Sequence, residues 1–246
     1  MYIDAHNHLC HYQGLIQEAL KQIQEKSILT VDCAINEETY LCSKELAKEQ
    51  PLVVPCFGIH PMEAHRYHDR LEDFEGYIVE SPMIGEIGLD YHWVKDRETY
   101  PLHKKVLRYF FQRARQYDKV VNLHTKGAEK EIFLWVKEYR LRSPIIHWYS
   151  GPMDIFHRLL DYGCYFTIGV DVGFSDTTKE ILSHLPLDRL LTETDGPTAL
   201  EWINGEYGYP EFIRGIVEHI SQIKRVDPEE LKERILENYR NLMGNF

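Results

Sequence analysis

The chain has 246 residues, a length that suits either two ordinary domains or one α/β barrel of about 250 residues. Hydrophobic residues make up 43%, no apolar run approaches the ~18 residues of a membrane helix, and no signal peptide follows Met1, so we expect a cytoplasmic globular protein. Asp and Glu number 39 against 28 Lys and Arg, and this net charge of -11 argues against a protein that coats nucleic acid, although a local metal site would still allow a nuclease.

The cysteines are odd in number and scattered, without a Cys-x-x-Cys spacing, at Cys10, Cys33, Cys42, Cys56 and Cys164. This usage predicts reduced thiols rather than a disulfide framework or a zinc ribbon. We expect most of them to be small core residues, and we favour packing over a chemical role for Cys10 as well.

Apolar runs and helical periodicities alternate along the chain. Eight runs predict buried strands, which begin or lie at residues 2–4, 28–35, 52–60, 83–90, 119–124, 144–148, 164–170 and 189–195. Helical spacing follows the first seven, at residues 15–23, 38–49, 68–79, 97–117, 128–139, 153–162 and 178–185. This order predicts an α/β fold, a single (β/α)8 TIM barrel with two C-terminal helices that forms one domain over residues 1–246.

Side chains of the types that bind metals stand where almost every predicted strand stops. They are His6, His8, His60, Glu86, Asp90, His124, His147 and Asp195. Because the chemistry of a parallel barrel lies at the carboxyl ends of its strands, we expect a metal site there. His6 and His8, two residues apart, would project to the same side and pinch one ion, and since two imidazoles never complete a metal shell, further ligands must come from later strands.

The other histidines fall in predicted loops or on predicted helices, where a solvated or structural role is expected. They are His11, His65, His68, His103, His157, His184 and His219. His92, just past the fourth strand, stays open.

Six segments give the chain a close resemblance to the TatD-type metal-dependent deoxyribonucleases, a branch of the amidohydrolase superfamily, over essentially its full length. They are residues 4–8 (DAHNH), 58–61 (GIHP), 84–91 (IGEIGLDY), 123–126 (LHTK), 146–151 (IHWYSG) and 186–197 (PLDRLLTETDGP). A bare His-x-His is weak, whereas this ordered set is highly specific.

The resemblance implies a centre of two divalent metal ions. Its first ion would be held by His6, His8 and Asp195 and its second by His124 and His147, with Glu86 bridging them. Four imidazoles favour zinc, manganese or another transition ion, while nuclease activity in this family is associated with magnesium.

Three catalytic roles are also implied. Glu86 and the ions would activate a shared hydroxide, Asp195 could take a proton from that water, and His60 would contact the substrate's phosphate or the water. Asp4 would either bond a ligand's ring nitrogen or brace the turn, and Asp90 would order its loop.

The chain departs from its relatives beside the expected pocket. Lys126 stands where many relatives carry Arg, so it can neutralise a phosphate but cannot form the bidentate fork. Trp148 replaces a smaller residue, and the loop 198–210 differs, which leaves the range of substrates open.

We therefore expect a metal-dependent hydrolase acting on ester bonds, a deoxyribonuclease that trims single-stranded or frayed 3′ ends. DNA would be a transient partner, with no membrane and no obligate protein partner. One alternative keeps the site and changes the substrate to an amide, ester or lactone, including misacylated tRNA. A more remote alternative is a metal-binding protein without turnover.

Overall fold

The computed structural model describes residues 1–244, which form two compact units. The first unit comprises residues 1–32, 42–54 and the chain from residue 166 onward, and the second comprises residues 33–41 and 55–165. Whether the chain forms the single domain expected from the sequence stays a prediction.

Parallel strands form the framework of the first unit, and the first of them carries His6. They are β1 (Tyr2–Asn7), β2 (Ile28–Cys33), β7 (Tyr165–Ile168) and β8 (Leu190–Thr192). β1 pairs with β2 from Tyr2 opposite Ile28, and β7 pairs with β8 from Phe166 opposite Leu190. The Thr192 hydroxyl donates to the carbonyl of Ile3 at 2.5 Å, so β8 lies beside β1 and brings the two ends of the chain together.

The strands of the second unit are also parallel. They are β3 (Val53–Cys56), which begins in the first unit, β4 (Ile84–Gly88), β5 (Val121–His124) and β6 (Ile145–Ile146). β4 pairs with β5, and β5 pairs with β6 through Asn122 opposite Ile145. All residues of β4, β5 and β6 are buried, which explains why they read as apolar runs.

Helices connect these strands and follow the last of them. They are α1 (Ile16–Lys26), α2 (Glu37–Glu49), α3 (Ala64–Tyr67), α4 (Glu75–Glu80), α5 (Tyr100–Gln116), α6 (Glu129–Tyr139), α7 (Met153–Tyr162), α8 (Asp176–His184), α9 (Thr198–Asn204), α10 (Ile213–Lys224) and α11 (Pro228–Met243). α7 ends at Gly163, which has a φ of 101°, and α11 begins at Asp227, whose side chain accepts from the N–H groups of Glu229 and Glu230. Among residues 1–244, no helix combines the length and apolar composition needed to cross a membrane.

Three elements differ from the sequence prediction. The helix expected over residues 68–79 is replaced by α3 before this range, a 3-10 helix at Leu71–Phe74 and α4 at its end. The third strand ends at Cys56 and not at His60, which instead begins a short 3-10 helix at Pro61. The segment expected as a loop at residues 198–210 contains α9, since residues 198–204 lack Gly and Pro and the helix ends at Gly205 with a φ of 81°.

The cysteine prediction is wrong for one pair. Cys10 and Cys42, 32 residues apart in the sequence, form a disulfide within the first unit, while Cys33, Cys56 and Cys164 are reduced and buried as expected. The spacing of Cys10 and Cys42 matches no disulfide motif. The two residues meet only because the fold places α2 beside the segment that follows β1.

The close approach of β4 and β5 depends on Gly88. A Cβ atom at this position would lie 1.9 Å from the carbonyl oxygen of His124, which is backbone and cannot move aside. The same close packing of the two strands holds Glu86 on β4 next to His124 at the end of β5.

We expect Gly88→Ala to lower the free energy of unfolding by about 3 kcal/mol or more, the upper end of overpacking costs. Gly76→Ala is the matched control, since a Cβ in this exposed position of α4 meets nothing within 4 Å, and it should stabilise the protein by about 0.5–1 kcal/mol. Urea denaturation of both variants checks this. Equal stability of the two would contradict the assigned packing.

Candidate metal-binding clusters

The first group of potential ligands lies in the first unit. Nε2 of His6 is 3.2 Å from Nε2 of His8, and Oδ1 of Asp195 is 3.3 Å from His8 Nε2 and 3.9 Å from His6 Nε2. All three residues are buried. We call them the His6 cluster.

Backbone hydrogen bonds place the His6 cluster. The N–H of Asp195 donates to the carbonyl of His6 at 3.0 Å, and the N–H of His8 donates to the carbonyl of Gly196 at 2.9 Å. The end of β1 and the segment after β8 therefore continue to pair beyond their strands. Because this pairing is parallel, side chains from both segments emerge at the same edge.

The buried carboxylate of Asp4 reinforces this junction. Its Oδ1 accepts from the N–H of Thr194 at 2.9 Å, and its Oδ2 accepts from the Thr194 hydroxyl at 2.6 Å and from Nδ2 of Asn7 at 3.0 Å. Burial raises the pKa of Asp4 to about 7, against the lowering effect of these hydrogen bonds. Of the two roles expected for Asp4, these contacts are those of a brace between the segments that carry Asp195 and the histidines.

Asp32 at the end of β2 is a further buried acid, which the sequence analysis did not single out. Its Oδ1 accepts a hydrogen bond of 2.8 Å from the N–H of Leu9, the residue that directly follows His8. Burial raises the pKa of Asp32 to about 6, although hydrogen bonds and the charges of His8 and His6 lower it. The available signal was a lone carboxylate inside the apolar run of residues 28–35.

The second group of potential ligands lies in the second unit and surrounds Oε1 of Glu86. This atom is 2.8 Å from His124 Nδ1, 3.0 Å from His147 Nε2 and 3.5 Å from His60 Nε2. His60 Nε2 is also 3.4 Å from His124 Nδ1. We call these four buried residues the Glu86 cluster. His60, expected to line the pocket and to contact the phosphate or the water, thus lies in the same cluster as the expected ligands, somewhat farther from Glu86 than His124 and His147.

Asp90 orients His124 and orders a loop at the same time. Its Oδ2 is 2.8 Å from Nε2 of His124, and its Oδ1 accepts from the backbone N–H groups of His92, Trp93 and Val94. Burial alone would raise the pKa of Asp90, but the bonds to His124 and to the loop hold it down at about 2. For His124, burial lowers the pKa, while its bonds to Asp90 and Glu86 produce a net increase. His124 therefore presents Nδ1 to the Glu86 cluster, as a ligand oriented by an outer carboxylate does.

The donor atoms fit divalent ions. Nitrogen ligands at about 2.0–2.1 Å from a tetrahedral zinc ion lie roughly 3.4 Å from one another, which matches the separations of 3.2–3.9 Å in the His6 cluster. The ligand atoms of His60, Glu86 and His124 likewise lie within 4.8 Å of one another. Zinc and manganese accept this mixture of imidazole and carboxylate ligands, whereas magnesium prefers a shell made of oxygen atoms alone.

A cavity of about 580 Å³ in the second unit contains two of the expected substrate-binding residues. Its lining includes Lys126, Trp148, His92 and Trp93. Nζ of Lys126 lies 4.8 Å from the centre of the Trp148 ring and donates to the Ser150 hydroxyl at 3.0 Å. His92, left open by the sequence analysis, is a lining residue here, held by Asp90.

Sequence comparison finds relatives along the whole chain. Residues 3–244 match the family described as TatD related DNase. The chain is 26% identical over 256 aligned positions to the uncharacterized metal-dependent hydrolase YabD of Bacillus subtilis (strain 168), covering 98% of both proteins. It is 28% identical to the uncharacterized metal-dependent hydrolase YcfH of Escherichia coli (strain K12), covering 98% of this chain and 94% of the relative.

Structure comparison gives the fold. The TatD homologue YJJV from Escherichia coli K12 superposes with a TM-score of 0.89 at 23% identity, covering 98% of this chain and 97% of that one. A TatD family hydrolase from Entamoeba histolytica superposes with a TM-score of 0.82 at 19% identity, covering 98% of this chain and 97% of that one. The fold class expected from the sequence, the α/β fold of the (β/α)8 barrels, is confirmed by this likeness.

We expect Thr194→Val to weaken zinc binding at the His6 cluster by about 10- to 100-fold. This is the usual effect of removing a residue that supports metal ligands without binding the ion itself. Thr192→Val is the matched control, because its hydroxyl also joins the β8 segment to β1 but donates to Ile3 and not to Asp4. Titration of zinc against a chromophoric chelator measures both affinities. Equal affinities in the two variants would count against the bracing role of Asp4.

Proposed function

Because the chain belongs to the TatD related DNase family and is a metal-dependent hydrolase, we propose that it hydrolyses phosphodiester bonds of DNA, as an exonuclease on single-stranded 3′ ends. The observation that carries this proposal is the grouping of buried imidazoles around carboxylates in two clusters. Such a donor set serves metal-assisted hydrolysis and has no use in ordinary packing.

The His6 cluster and the Glu86 cluster would each hold one divalent ion. His6, His8 and Asp195 would bind the first, while His124, His147 and Glu86 would bind the second. Bound ions of this kind polarise a phosphoryl oxygen and lower the pKa of a water molecule. The bridging role that the family resemblance implies for Glu86 remains a prediction.

Proton transfer is assigned to Asp195. Its Oδ1 lies 3.3 Å from His8 Nε2, and the carboxylate has a second oxygen that can accept a proton from an attacking water. We assign to His60 the contact with a phosphate oxygen or a water molecule through Nε2, because its Nδ1 already accepts from the N–H of Met62 at 3.2 Å. This bond fixes the ring orientation, and with it the tautomer that carries hydrogen on Nε2.

Substrate contacts are assigned to Lys126 and Trp148. Lys126 lines the cavity, and its ammonium group would offer a positive charge to a phosphate there. The Trp148 ring offers an apolar surface next to it. A nucleotide, which combines a phosphate with a planar base, matches this pair of features.

A second candidate reaction is the hydrolysis of an amide, ester or lactone. The net charge of -11 favours it, because a small uncharged carbonyl substrate needs no long-range attraction. Assays of the purified protein with single-stranded DNA and with a panel of carbonyl substrates, under zinc, manganese and magnesium, separate the two. Turnover of a carbonyl substrate without any hydrolysis of DNA would replace the first proposal by the second.

We expect Glu86→Ala and His124→Ala each to reduce hydrolysis of single-stranded DNA by at least about 1,000-fold, because both remove a metal donor from the Glu86 cluster. His157→Ala, an exposed histidine on α7, is the control and should retain full activity. Cooperative thermal unfolding of all three variants shows that the fold survives. Near-normal activity in both cluster variants would refute the metal-assisted mechanism.

The phosphate contact makes a separate prediction. Lys126→Met should raise KM for a single-stranded oligonucleotide by about 10-fold, the effect of losing one charge-assisted hydrogen bond. Lys126→Arg should keep KM within about threefold of the original because it keeps the charge. Steady-state kinetics at fixed ionic strength measure both, and an unchanged KM in the Met variant would remove Lys126 from the substrate site.

A further inference from the structure

A groove of about 640 Å³ runs along α5 in the second unit, outside the clusters described above. One wall is an inclined row of α5 residues spaced by four, Tyr100, Lys104, Arg108 and Gln112, of which Lys104 and Arg108 are cations. Lys105 stands in the adjacent row, and Arg97 lies just before the helix. At about 1.5 Å per residue, the row is roughly 18 Å long.

The groove is strongly basic in an acidic protein. α5 carries five cations, and its sequence YPLHKKVLRYFFQRARQ contains no Asp or Glu, whereas the whole chain has a net charge of -11. Among the described residues that line the groove, Glu72 alone is acidic. The local charge is therefore opposite to the charge of the molecule as a whole.

Most of these cations are available to a ligand. Arg97, Lys105 and Arg108 are exposed, and within residues 1–244 no ion pair joins any of them to another residue. The Arg108 guanidinium lies 4.7 Å from the centre of the Trp135 ring, which limits its motion but leaves its charge uncompensated. Lys104 differs, because its Nζ is 2.9 Å from Oε1 of Glu131.

The groove begins at the loop that carries Asp90. The Tyr100 ring stacks on Tyr91 at 4.3 Å, and the Tyr100 hydroxyl donates to the carbonyl of Val94 at 3.0 Å. Asp90 itself contacts His124 of the Glu86 cluster. A chain molecule that follows α5 towards its N-terminus therefore arrives at the loop anchored beside that cluster.

We propose that this groove binds the sugar-phosphate backbone of single-stranded DNA and guides its 3′ end to the Glu86 cluster, an inference that rests on the proposed function. A stacked single strand has one phosphate about every 3.4 Å, so roughly five nucleotides match the length of the row. The four cations that line the groove, Arg97, Lys104, Lys105 and Arg108, offer charge to phosphates and no donor pattern that matches one base, so we expect binding to be independent of sequence. The groove thus gives an acidic enzyme a local attraction for its polyanionic substrate.

The test is the double variant Lys105→Glu/Arg108→Glu, with Lys137→Glu/Arg158→Glu as its control. The control reverses one exposed Lys and one exposed Arg on other helices of the same unit, so both variants change the net charge equally. Fluorescence anisotropy of a labelled 20-nucleotide oligo-dT with metal-free protein in EDTA measures binding without turnover. We expect the groove variant to bind at least 10-fold more weakly, with a smaller dependence on salt, and the control to bind like the original protein.

Turnover provides an independent measurement. In the groove variant, kcat/KM should fall at least 10-fold for the 20-nucleotide substrate and stay unchanged for a chromogenic aryl phosphodiester, which is too short to reach along α5. If DNA is bound through the groove but not hydrolysed, the proposed function fails while the groove assignment stands. Equal losses in the groove and control variants, or no loss in the groove variant, overturn the groove assignment. Binding of labelled poly-glutamate is measured in the same way as DNA binding. If the groove variant loses poly-glutamate binding but keeps DNA binding, the groove assignment is overturned in favour of an acidic protein partner.

Discussion

The buried carboxylate of Asp4 is the contact on which the first unit's chemistry depends. It accepts hydrogen bonds from Thr194, 190 residues away, and from Asn7, and it therefore joins the start of the chain to the segment before Asp195. A carboxylate without partners would not remain in this water-free position, since burial of an unpaired charge costs several kcal/mol. The three donors offset part of that cost, since burial still raises the pKa of Asp4 to about 7, and the bonds to Thr194 hold the segment that carries Asp195 beside β1.

Asp90 performs a comparable task in the second unit, but with a different distribution of bonds. One oxygen is paired with the far ring nitrogen of His124, and the other collects three backbone N–H groups from the loop after it. The orientation of His124 and the course of the loop at residues 92–94 thus depend on a single side chain. In each unit, a carboxylate that is not a proposed metal ligand, Asp4 or Asp90, fixes the position of residues that are proposed ligands.

The sequence was sufficient for the presence and order of the strands, because a buried parallel strand reads as an apolar run, although it placed the end of the third strand at His60 instead of Cys56. It was insufficient for contacts between segments distant in sequence. Asp32 and Leu9 meet only once β1 and β2 are paired, and no spacing announces the disulfide between Cys10 and Cys42. The distance of His60 from Glu86 could not be predicted either, because it depends on how the backbone turns between Cys56 and Pro61.

Net charge is a weak guide to what such a protein binds. In physiological salt the field of an exposed charge decays over about 8 Å, so a phosphate in contact with α5 responds to the cations of that helix and hardly to acids on distant faces. The excess of 39 acidic over 28 basic residues argues against indiscriminate coating of nucleic acid. The same excess of acids is compatible with a basic groove along α5. It even favours such a groove, because repulsion from the acidic surface elsewhere would disfavour other paths for a DNA strand. An acidic chain with one helix that carries five cations and no acid therefore restricts where a polyanion can lie, which a uniformly basic chain would not do.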